Sequence, residues 1–221
     1  EIMPSLVGSE MCIRDRAWLL LLLFFSCTQA EEFEAGRHYQ ILDNPTVTRN
    51  SSKVEVVEVF WFGCNHCYAL ESYIQPWKRN LPNDVDFWKS HITWNAQAET
   101  HARLFYSAKA LGIEEKAVPA AFTSIWREGR NLLGNSEVEY FFKGFGVEKE
   151  RYLSVSNSFG VNNAVKQADN RMRQWAVTGV PTLIVNGKYK VSGTREIGTS
   201  KLLDVVNFLI EKERRFLTRS D

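Results

Sequence analysis

Val54-Glu55-Val56-Val57-Glu58-Val59-Phe60-Trp61-Phe62, then Gly63 and Cys64-Asn65-His66-Cys67, is the stretch on which the fold turns. Its near-continuous β-branched and aromatic content is the pattern of a central strand covered on both faces. Residues 64–79 that follow have helical character, with Pro76 predicting a kink or an end. Cys64 therefore falls where a strand gives way to a helix, a position that favours a thiolate. Two thiols three residues apart can close a ring, and His66 lies between them.

Outward from this stretch, residues 39–42 form a short first strand before the turn Asp43-Asn44-Pro45, and residues 85–92 form the strand after the Leu81-Pro82 loop. Strand, helix and strand in that order predict a parallel pair. From 96 to 176 the pattern is helical: 98–111 closed by Gly112, 117–126, a helix opened by a capping box at Ser136-Glu137-Val138-Glu139, and 161–177. Strand character returns at 181–185, Asn186-Gly187 is a two-residue hairpin turn into 188–191, and an amphipathic helix at 200–215 closes the chain. The fold class is α/β, with helices inserted into a β-α-β…β-β-α frame and no internal repeat.

The 27 basic and 26 acidic residues give a formal net charge of +1, and no basic run supports nucleic-acid binding. Arg14 and Arg16 precede an apolar run, 17–25, too short to span a bilayer, and Thr28-Gln29-Ala30 supplies a small-residue cleavage site. A secretory signal is expected, starting at Met11 and cleaved after Ala30; a lipid anchor at Cys27 is the weaker reading, since Phe24-Phe25-Ser26 before it is bulky. Of the four cysteines, Cys12 and Cys27 leave with the signal. Cys64 and Cys67 then form the only possible bridge, whose tiny loop barely constrains an unfolded chain, so the pair is there to react.

The Cys-x-His-Cys-Tyr segment after an apolar strand, joined to Thr178-Gly179-Val180-Pro181-Thr182 before a hairpin, resembles the DsbA family of periplasmic thiol:disulfide oxidoreductases. Phe33-Glu34-Ala35-Gly36, Leu111-Gly112 and Val185-Asn186-Gly187-Lys188-Tyr189 extend the resemblance over nearly all of 31–221. It implies a thioredoxin-like domain, 31–95 with 169–221, and an inserted helical domain, 96–168, after the upstream and signal residues 1–30. It also implies donation of the Cys64–Cys67 disulfide to newly exported unfolded proteins, no cofactor beyond that disulfide, and reoxidation by a DsbB-type membrane quinone reductase. A periplasmic monomer is expected. Isomerase or reductase chemistry on the same fold, and a soft-metal module of Cys64, His66 and Cys67, are the alternatives.

With Cys64 as helix cap, the amides of His66 and Cys67 and a protonated His66 stabilise its thiolate, while Cys67 is the buried resolving thiol. Asn65 departs from the family, where proline is common; it adds a donor and removes preorganisation. The resemblance makes the Val180–Pro181 bond cis, facing Cys64, where the backbone of Val180 can pair with an extended client. Glu58 reads either as a strand-end charge reaching solvent or as a buried acid relaying the Cys67 proton, with Lys89 its partner by resemblance. Glu71 shapes the local field or, as the plainer reading, is a solvated helix charge. Trp61 and Phe62 line a client groove or fill the core. His38, His91 and His101 show no metal spacing.

Overall fold

The computed structural model describes residues 33–217. The expected start at Met11, the cleavage site after Ala30, and Cys12 and Cys27 lie outside the described residues. Strand β1 (Gln40–Ile41) leads to β2 (Val54–Phe60), helix α1 (Asn65–Arg79) and β3 (Val85–His91). Five helices follow: α2 (Ala96–Ala110), α3 (Glu114–Trp126), α4 (Asn135–Lys143), α5 (Lys149–Ser156) and α6 (Phe159–Gln174). The hairpin β4 (Thr182–Val185) and β5 (Tyr189–Ser192), a 3-10 turn at Thr199–Lys201 and α7 (Leu202–Leu217) complete the order. Among the described residues no helix is long and apolar enough to cross a membrane.

The sheet order is β1-β5-β4-β2-β3, with β2 and β3 parallel and the other pairs antiparallel. Every residue of β2 is buried, as its unbroken apolar run predicts. Because side chains alternate across a strand, Val54 and Val56 face the core that α1 and α7 complete with Leu70, Ile74, Val206 and Leu209. Val57 and Val59 face the opposite core, shared with Ile184, Met172 and Trp175. Phe60 and Phe62, beyond them, enter a third cluster built mainly by the helices, around Phe105, Phe122 and Phe142. Phe60 and Phe62, which lead into the Cys64 turn, thus anchor in the core of the helical segment.

Helix α1 runs to Arg79 as expected and does not end at Pro76. Pro76 is exposed, and so is Ser72, whose carbonyl loses its partner and turns to solvent. The capping box at Ser136–Glu139 does not form, because α4 starts at Asn135 behind Gly134 and Ser136 falls inside the helix. Leu132, just before this entry, is buried and in the left-handed region at φ 54°. Helix α5 has no counterpart in the sequence reading: its eight residues bury only Tyr152 and Ser156, too little for a periodic signal.

The hairpin turn has the expected chemistry, with Asn186 at φ 51° and Gly187 at φ 62°. A Cβ on Gly187 would sit 2.3 Å from the Thr46 carbonyl oxygen. Gly187→Ala therefore combines backbone strain with a clash against main chain, and should destabilise the fold by about 2 kcal/mol or more in urea unfolding.

Candidate active site

Cys64 is the N-cap of α1, with extended backbone at φ −102° and ψ 117°. A buried strand aims the chain into the site, and the helix must begin where β2 leaves the sheet. The Cys67 amide donates to Cys64 Sγ at 3.4 Å, and the Cys64 amide donates to the Trp61 carbonyl at 3.0 Å. As a thiol, Cys64 donates to the Val180 carbonyl at 3.3 Å, across the cis Val180–Pro181 bond. Both cysteines are free here, Cys64 half-buried and Cys67 fully buried.

The environments drive the two thiols apart. The Cys67 thiol, then the amides of Cys67 and His66, hold Cys64 down at about 6 against its partial desolvation. The charge of His66 is the smallest contribution among them, and its exposed ring stands in solvent. Asn65 is likewise exposed at the first helical position. Burial, reinforced by Cys64 and Glu58, pushes the Cys67 thiol well above its ordinary value.

Beneath the pair, the parallel register sets Glu58 beside Lys89. The Lys89 ammonium donates to Glu58 and, at 2.8 Å, to Glu71. All three side chains are buried, which corrects the solvated reading of Glu71. Leu70 and Ile74 turn that face of α1 inward, and Glu71 goes with them to a cation already between the strands. Burial raises Glu58 to about 7 in spite of Lys89, and its Oε1 has no hydrogen-bond partner. Burial draws the Lys89 ammonium down, but Glu58 and Glu71 together outweigh it and hold the charge in place.

Histidines that the sequence left unassigned brace the turn before Cys64. His91 Nε2 accepts the Phe62 amide at 3.3 Å, and its Nδ1–H donates to the Ile92 carbonyl at 2.7 Å. Burial lowers its pKa to about 3, so it stays neutral. His101 Nδ1 accepts the Trp61 indole N–H at 3.1 Å, and Trp126 donates to the Phe62 carbonyl at 2.9 Å. Tyr68 stacks on Trp126 and accepts from Arg127. Phe62 is core, whereas Trp61 keeps a partly exposed face.

Beside Cys64, a groove of about 320 Å³ is lined by His66, Val180, Pro181, Thr194, Ile197 and Leu202, among others. Among the described residues, no group of three or more His, Cys, Asp or Glu side chains could hold a metal ion.

A family model described as a DSBA-like thioredoxin domain matches residues 73–202. The chain is 38% identical over 192 residues to the thiol:disulfide interchange protein DsbA of Pseudomonas aeruginosa, covering 87% of this chain and 91% of that one. It is 36% identical over 193 residues to the protein of that name from Pseudomonas syringae, covering 87% and 90%. Among solved structures, Pseudomonas aeruginosa DsbA superposes with a TM-score of 0.80 at 36% identity, covering 86% of this chain and 98% of that one. The oxidoreductase DsbA of Xylella fastidiosa gives 0.78 at 26% identity, with 83% and 98% covered.

The pH dependence follows from the sign of the Cys64 shift. A depressed thiol gives stability to the folded, reduced chain that is present above its ordinary value and lost as pH falls through about 6. Thiolate absorbance of the reduced protein should titrate with a midpoint near 6. In Cys67→Ala, which removes the strongest donor, the midpoint should move up. A midpoint near the ordinary thiol value in the unaltered chain would refute this account of the site.

Proposed function

Because the chain belongs to the DSBA-like thioredoxin domain family and is a thiol:disulfide oxidoreductase, we propose that it donates the Cys64–Cys67 disulfide to newly exported, unfolded proteins. The observation that carries the direction is the asymmetry of the two thiols: Cys64 held down at about 6, Cys67 raised. Each pH unit by which Cys64 lies below ambient favours the reduced form by about 1.4 kcal/mol, or about 30 mV for two electrons. A disulfide whose reduced state is favoured is one to be given away.

In the proposed reaction a client thiolate attacks Cys64 Sγ. The Cys64–Cys67 bond breaks, its electron pair goes to Cys67 sulfur, and the client–Cys64 mixed disulfide forms. Glu58, raised to about 7, supplies the proton that Cys67 needs as a buried, high-pKa thiol. Lys89 and Glu71 hold that carboxyl in place. A second client thiolate then attacks the client sulfur and releases Cys64 as a stabilised thiolate. The client has lost two electrons, and the chain has gained them as a dithiol. The Val180 backbone, ahead of Pro181, pairs with the extended client, and His66 and Asn65 tune the helix start.

The same proposal includes a periplasmic location after removal of residues 1–30, a monomer, no cofactor beyond the disulfide, and a DsbB-type membrane quinone reductase as reoxidant. It also includes the division into a sheet-bearing domain, 31–95 with 169–221, and a helical insertion, 96–168. The cluster around Phe122, built mainly by the helices, and those around Val56 and Val57 on the two faces of the sheet support that division, with Phe60, Phe62, Cys67 and Ala98 packing across it.

Oxidation of a reduced, unfolded client in a redox buffer tests the reading. Cys67→Ala should trap a mixed disulfide through Cys64, and Cys64→Ala should abolish turnover. A strongly reducing Cys64–Cys67 potential would select a reductase, and chelator-sensitive binding without turnover would select a metal module.

Glu58→Gln should slow mixed-disulfide formation by at least about tenfold, since the amide cannot supply a proton. Glu58 is protonated below about 7, so its contribution is present there and lost as pH rises through that value. Stopped-flow rates, corrected for client thiolate, should show this inflection in the unaltered chain and lack it in the variant.

A further inference from the structure

The stability of the Cys64 thiolate depends on aim. The Cys67 amide reaches Sγ at 3.4 Å, a bond that holds only while the cap points its sulfur at the helix start. That aim is set by how the chain arrives through Gly63, a residue with no side chain to restrain it. The restraint comes from Trp61. Its indole occupies the space of a Gly63 side chain, with Cζ2 and Cε2 at 2.5 and 2.6 Å from where a Cβ would stand. The backbone of Trp61 also meets the cap directly: its carbonyl accepts the Cys64 amide at 3.0 Å.

The indole is itself held. Its N–H donates to His101 Nδ1 at 3.1 Å, and His101 Nε2–H donates to the Asn131 carbonyl at 2.8 Å. This needs the neutral ring with its proton on Nε2, the form that burial of His101 favours. His101 lies on α2 and Asn131 in the segment after α3, so the line Asn131–His101–Trp61–Gly63 runs from the helices to the cap of α1.

We propose that His101 and Trp61 are positioning residues for the redox pair, in which His101 fixes the indole and the indole, pressed on Gly63, fixes the aim of the Cys64 cap. The proposal rests on Cys64 being the attacking thiol. Neither side chain touches a client or takes up a proton; each acts on Cys64 through the backbone. Release of the indole leaves the fold in place and loosens the donors at Sγ.

The test is a double-mutant cycle read by thiolate absorbance of the reduced full chain. Trp61→Phe keeps a ring and loses the donor; His101→Leu keeps bulk and loses the acceptor. Each should raise the Cys64 midpoint by about half a pH unit, roughly a threefold fall in the thiolate-to-thiol ratio. The double variant should rise no further than the larger single. His101→Asn, whose Oδ1 stands near the place of Nδ1, should bring the midpoint back toward the unaltered value. Unchanged midpoints in variants that keep a cooperative thermal transition overturn the proposal, and so do shifts that add in the double variant. Should His101→Leu fail to fold, Trp61→Phe and His101→Asn decide the matter by the same readout. A high midpoint in the unaltered chain would instead refute the donor reading, whereas a low one with unmoved variants refutes the positioning alone.

Discussion

The hydrogen bond from the Cys67 amide to Cys64 Sγ is the contact around which the rest of the chain is arranged. It turns an ordinary need of a helix, a partner for its first free amides, into stabilisation of a sulfur anion. The bond exists only if a strand delivers Cys64 to the start of a helix in one orientation. Burial of β2 on both faces fixes the delivery. Leu70 and Ile74, packed beneath the sheet with α7, fix the helix. Cys67, one turn in, is then buried by the same packing that exposes Cys64, so a single geometry pushes the two thiols in opposite directions.

The charged trio under that turn shows the cost the fold accepts. Burying Glu58, Lys89 and Glu71 takes three charges out of water, and an apolar cluster of like volume would commonly be at least as stable. Two carboxylates share one ammonium, and desolvation leaves Glu58 near 7, where it can hold or release a proton. One oxygen of Glu58 is left without a hydrogen-bond partner. Buried Glu213, by contrast, accepts from Asn186, Lys188 and Tyr189, and locks α7 to the β4–β5 hairpin.

Much of this was legible because it rests on local chemistry. The β-branched run of β2, the helix start at Cys64 and the Asn186-Gly187 turn each declare themselves within a few residues. Other features depend on partners distant in sequence. Glu71 reads as solvated until α1 is rotated onto the sheet and Lys89 appears from β3. His91 and His101 carry no spacing signal, because each bonds a turn about 30 or 40 residues away from it in the chain. The capping box at Ser136 does not form because α4 already begins at Asn135, which places Ser136 inside the helix. Helix α5 escaped notice because eight residues burying two side chains leave almost no periodicity.

By itself the sequence determined the class of fold, the paired cysteines and which thiol caps the helix, since strand propensity, helix capping and a two-thiol spacing act over a few residues. Only the tertiary structure decided how that pair is tuned. The register of β2 on β3 brought Lys89 to Glu58, rotation of α1 added Glu71, and packing of α2 carried His101 to Trp61. Those effects arise from desolvation and from contacts between groups far apart in the chain, and neither exists until the core has closed.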